Sequence, residues 1–89
     1  MKLDSGDISS PIHDMMSDPE YGRVIFRVDS FHQMYNTRTA ALGTKRRHGY
    51  DIYTKSEGSN ELHVIKRGCE NLKAMSVDLG PDNFERSNV

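Results

Sequence analysis

Residues 30–49, SFHQMYNTRTAALGTKRRHG, carry the most organised pattern in the chain, and their reading decides what the flanking segments must be. Ser30 and Gln33 have capping-box spacing, in which the Ser hydroxyl accepts the amide three residues on and the Gln side chain reaches back. Asp29, just ahead, adds negative charge near the positive end of the helix dipole. Gly43 follows Leu42 where a left-handed residue would close the helix. The pattern predicts a helix of about three turns, an ordinary length in globular domains, ending in a basic turn that holds Lys45, Arg46, Arg47 and His48.

At about 100° per residue, Phe31, Met34, Tyr35, Ala41 and Leu42 share one stripe, with His32, Gln33, Asn36, Thr37 and Ala40 on the other side. Arg38 falls near the middle of the apolar stripe. Two readings fit it. Either its stem packs on the core while the guanidinium escapes past the helix end, or it joins Lys45, Arg46 and Arg47 in gripping an anion.

The segments on either side read as a platform. Ahead of the helix, Arg23 to Val28 alternates: Val24, Phe26 and Val28 point to one face, and Arg23, Ile25 and Arg27 to the other, as in a strand. Behind it, Tyr50 to Lys55 is rich in aromatic and β-branched residues and reads as a second strand. Ser56 to Asn60 is a polar, Gly-containing hairpin loop. Glu61 to Arg67 returns, with Leu62 and Val64 inward and His63 and Ile65 opposite. Residues 70–79 fit either period; alternation of Lys73, Met75, Val77 and Leu79 favours a fourth strand continuing the meander over a helix stopped by Gly80 and Pro81. The fold class expected is α+β, one amphipathic helix packed on a small antiparallel sheet of three or four strands.

The ends differ from this middle. Residues 1–20 are rich in Asp, Ser and Pro and read as an acidic, mostly flexible segment, with one helical turn allowed at Ser10 to His13 because Pro suits the first helical position. Ile12, Met15 and Met16 would then form a small apolar lid. Residues 21–80 make the single domain, and 81–89 a polar tail. A packed part of roughly 60 residues is marginal for one core, and hydrophobic content is only 35% with no Trp. A protein partner, a homodimer or low intrinsic stability would each fit that shortage.

Charge is segregated along the chain. Residues 1–20 hold one Lys against five acids, 21–77 ten Lys or Arg against five acids, and 78–89 one Arg against three acids. A basic middle between acidic ends matters more than the net charge of −1. It also raises the reading that the acidic N-terminal segment folds back over the basic patch and screens it. The single Cys69 has no partner for an internal disulfide. No apolar run is long enough to cross a bilayer, and MKLDSGDISS lacks the regions of a signal peptide. A cytoplasmic protein without membrane contact is expected.

No catalytic or metal pattern stands out, and no cofactor is implied. Cys69 with His63 or His48 would make a thiol–imidazole pair, but nothing in the spacing joins them or activates the thiol. His13, His32, His48, His63 and Cys69 are scattered, without the close ligand spacing of zinc. The N-terminal acids lack the rigid turn of a calcium loop. Leu42 to Lys45 lacks the spacing of a phosphate-cradling loop.

The basic cluster is what remains. Arg38, Lys45, Arg46, Arg47 and His48 are the expected contacts to a polyanion, with Tyr50 and Tyr53 near enough to stack on a base. Arg23, Arg27, Lys55, Lys66 and Arg67 would add charge if the sheet brings them round. The function expected is non-enzymatic docking on nucleic acid or a nucleoprotein complex. The alternative is a small phage- or plasmid-type inhibitor or adaptor that blocks a host protein complex by protein–protein contact.

Overall fold

Alternation in the segment ahead of the central helix produces the middle of the molecule. The computed structural model describes residues 5–79, with side chains from residue 8 onward, as α1 (Ser5–Ser17), β1 (Tyr21–Arg27), α2 (Phe31–His48), β2 (Ile52–Glu57), β3 (Glu61–Lys66) and β4 (Lys73–Asp78). The strand order is β2-β3-β1-β4, so β1 lies inside the sheet. Val24 pairs with Val64 and Phe26 with Leu62, which puts these apolar residues on one face beneath the helices, all fully buried.

The fold is α+β, with two corrections. Two helices cover the sheet, not one. The sheet is mixed, because β4 runs parallel to β1. A meander would have placed β4 beside β3, but β3 already pairs with β2 and β1 on its two sides. The connection therefore crosses the start of β1, and there the two backbones nearly touch. A Cβ built on Gly22 would lie 1.9 Å from the Cys69 carbonyl oxygen. Only glycine fits.

The N-terminal segment departs most from expectation. Residues 5–17 form thirteen residues of helix with Pro11 inside it, not one turn. Gly, Ser, Asp and an internal Pro are all poor helix formers. Tertiary burial overrides them: Ile8, Ile12 and Met15, one helical face at spacings of four and three, are buried in the core with Val24, Phe26, Ile52, Leu62 and Val64. The last turn of α1 has no basic residue of its own. Lys66 of β3 supplies one, its Nζ donating to the carbonyls of Met15 at 2.9 Å and Asp18 at 3.3 Å. The tail expected over 81–89 lies outside the described residues, as do residues 1–4.

The hairpin is as read, with its boundaries shifted: β2 runs to Glu57, and Gly58 takes the left-handed conformation at φ 65° in the turn. Among the described residues no helix is long and apolar enough to cross a membrane.

Candidate functional site

Helix α2 begins where its sequence says. The Gln33 amide donates to Ser30 Oγ at 3.0 Å, and Gln33 Oε1 accepts from the Asp29 amide, closing a capping box shifted by one residue at its return arm. It does not end at Gly43. The helix runs 18 residues to His48, and Gly49, at φ 68°, is the residue that closes it. Tyr50 N–H reaches the Lys45 carbonyl at 3.2 Å, the long bond of a Schellman motif. Lys45, Arg46, Arg47 and His48 are thus the last helical turn, not a loop, and suit its negative end.

The buried face is also not the one expected. Gln33, Met34, Thr37, Ala41 and Thr44 are buried, a stripe rotated by roughly a quarter turn from the aromatic one. Phe31 is 83% exposed and Tyr35 67% exposed, and Arg38 stands in solvent beside them, outside the core stripe. The cause lies in α1. Its Ile8, Ile12 and Met15 supply the apolar bulk, so the flank of α2 facing it must be small for the helices to approach. Ser9 Oγ and Thr44 Oγ1 meet at 2.6 Å. The buried hydroxyls of Thr37 and Thr44 also donate to the carbonyls of Gln33 and Ala40, one turn back.

The expected contact residues divide into three groups. Arg38 hangs over β2, its Nη2 donating to Ser56 Oγ at 3.1 Å. Together Phe31, His32, Met34, Tyr35, Arg38 and Ser56 line an open groove of about 620 Å³. Lys45 and Arg46 continue along that flank and line a second depression with Leu42, Gly49, Tyr50 and Asp51. Arg47 takes the opposite flank, toward α1, with Nη2 3.5 Å from Ser9 Oγ. Among the described residues none of these four cations forms an ion pair.

His48 and Tyr50 do not wait for a base. Their rings stack on one another, centroids 5.3 Å apart, and His13 of α1 meets His48 edge to face at 4.6 Å. The Tyr50 hydroxyl is hydrogen-bonded to His13 Nδ1 at 2.6 Å. This cluster ties the end of α1 to the end of α2.

The strand cations do not converge on the helix. Arg23 and Arg27 alternate with the core residues of β1 and lie on the face away from the helices. Arg67 pairs with Asp51 at 3.0 Å, Lys55 with Glu57 at 3.1 Å and Lys73 with Glu20 at 3.2 Å. Lys66 is engaged at the end of α1. On the open face His63 is 7% exposed and held at both nitrogens: Nδ1 is 2.9 Å from Arg23 Nη1, and Nε2 is 3.0 Å from Glu61 Oε1. A guanidinium only donates, so Nδ1 must accept and Nε2–H donates to Glu61. That histidine is a structural link.

Tyr53 is occupied on the same face. Its hydroxyl donates to Glu70 Oε2 at 3.0 Å and the Arg67 guanidinium lies 5.0 Å above its ring. The hydrogen bond to the Glu70 carboxylate holds the Tyr53 pKa above the usual phenol value. The Glu70 carboxyl is held below its usual range, first by its own backbone amide and then by Tyr53. Glu57 is lowered by its bond to Lys55.

No cluster of three or more His, Cys, Asp or Glu able to hold a metal occurs among the described residues. What the arrangement offers is a surface: two exposed aromatics, a guanidinium beside an open groove, and two further cations along the same flank. Sequence reasoning placed the aromatics inside. The competing stripe of Gln33, Met34, Thr37, Ala41 and Thr44 was equally periodic, and the exposed side was legible only once α1 was known to fill the core. No family model, curated protein or solved structure matches the chain.

Proposed function

We propose that the chain is a non-enzymatic binding protein of the adaptor or inhibitor type, docking on a protein partner through the outer face of α2. One observation carries this reading. Phe31 and Tyr35, one helical turn apart, are 83% and 67% exposed although the core is short of large apolar residues. Exposed aromatics beside an Arg have the composition of binding hot spots, where Tyr and Arg are enriched and buried on association. Among the described residues they lie outside the buried stripe by which α2 packs. The single Cys69 fits a reducing compartment such as the cytoplasm.

Docking on nucleic acid or a nucleoprotein complex is the second reading. It is favoured by Lys45, Arg46 and Arg38, which lie along one flank without ion-pair partners among the described residues. The supporting cations expected from the strands are absent from that flank. Affinity capture from host lysate, with and without nuclease, separates the readings. Nuclease-resistant partners lost on Phe31→Ala with Tyr35→Ala support protein docking. Partners lost on nuclease treatment, released by moderate salt and lost on Lys45→Ala with Arg46→Ala support the polyanion.

A further inference from the structure

We propose that the groove beside α2 and the free edge of β2 together receive an extended acidic segment of the partner, which adds to the sheet as a further strand; this rests on the protein-docking reading above. The phase of the edge comes from one bond. The Arg67 amide donates to the Asp51 carbonyl at 3.0 Å, so Asp51, and with it Tyr53, Lys55 and Glu57, bonds inward to β3. The N–H and C=O groups of Ile52, Thr54 and Ser56 therefore turn away from β3, and β2 is the last strand of the sheet there; Ile52 is fully buried, so the accessible stretch of the edge is Thr54 and Ser56. A chain laid along that edge satisfies them by main-chain hydrogen bonds, as in strand addition.

Side chains of an added strand alternate between the two faces. Those on the helix side fall next to Ser56, which opens into the groove under Phe31, Met34 and Tyr35. At about 620 Å³ the groove has the size of a small-ligand site and takes a large apolar side chain.

Charge selects the occupant. Ser56 steadies Arg38 over the lip of the groove, and the guanidinium keeps further N–H groups to offer a carboxylate. Lys45 and Arg46 extend the positive flank past it. Acidic side chains on the incoming segment are the complement. A second copy of this chain is a poor occupant, since a two-fold pairing of β2 edges would set these cations against their own images.

The test is selection of a random dodecapeptide phage library on the immobilised full chain, followed by hydrogen-exchange mapping with the enriched peptides. The expected sequences alternate acidic with large apolar residues. Their binding slows exchange at the amides of Thr54 and Ser56, fails when alternate peptide amides are methylated, and weakens about tenfold or more on Arg38→Ala. Enrichment of basic peptides, or binders sensitive to Phe31→Ala that leave the β2 amides unprotected, overturns strand addition and leaves docking on α2 standing. A concentration-dependent dimer that protects the same two amides assigns the edge to a second copy and overturns the proposal. Failure to select any peptide sensitive to Phe31→Ala or Arg38→Ala overturns both readings.

Discussion

Helices α1 and α2 lie against the same face of the sheet, and they place their large side chains in opposite directions. α1 is the shorter and is built from poor helix formers, yet Ile8, Ile12 and Met15 are all buried. α2 is capped at both ends by its own sequence, yet buries Gln33, Thr37, Ala41 and Thr44 with a single large apolar residue, Met34, and leaves Phe31 and Tyr35 in water. One helix is held in shape by the core it fills. The other holds its own shape and can spend its exposed face on something outside the molecule.

The contrast is sharpest in core truncations. Ile12→Ala, at a fully buried position of α1, is expected to lower unfolding stability by about 2–5 kcal/mol in a urea titration. A loss no larger than that of an exposed residue would show that α1 is dispensable. At the seam, Thr44→Leu adds bulk where Ser9 and Thr44 meet at 2.6 Å, and is expected to cost about 1–3 kcal/mol by overpacking. Smaller still is Ser30→Ala, which removes the acceptor for the Gln33 amide and should cost about 1 kcal/mol. Its effect tests whether α2 depends on its own cap.

The smallest effect lies at the surface of the opposite face. The raised pKa of Tyr53 means that its hydrogen bond to Glu70 contributes fully below the ordinary tyrosine range. That contribution is lost as pH rises through the raised value, because the unfolded chain ionises first. Stability measured across the alkaline range should therefore decline slightly, and Tyr53→Phe should remove the part of the decline that this phenol causes.

How much of this was legible depended on whether the deciding contact was local. The alternation of Val24, Phe26 and Val28, the hairpin turn at Gly58 and the Ser30–Gln33 cap all depend on residues a few positions apart, and each is found as read. The helix end is a local feature that was misplaced: α2 runs past Gly43, the expected closing residue, to His48, and Gly49 at φ 68° closes it. The placement of β4 beside β1 turns on a crossing at Gly22 and Cys69, 47 residues apart, which no periodicity encodes. The candidate site suffered most. Lys45, Arg46 and Arg47 share the last turn of α2, but Arg38 lies over β2 and Arg47 on the flank toward α1, because the rotation of the helix about its axis was set by α1, a segment whose composition concealed it. His48 and Tyr50 were assigned to a ligand and instead pack on His13.

The claim that the outer face of α2 serves a partner and not the fold is tested most directly by Phe31→Ala combined with Tyr35→Ala. Each truncation at these exposed positions should change unfolding stability by no more than about 0.5 kcal/mol, while retention of the protein partner in the capture assay should be lost. A variant that unfolds would make the two aromatics part of the core after all, and one that keeps its partner undiminished would contradict the account outright.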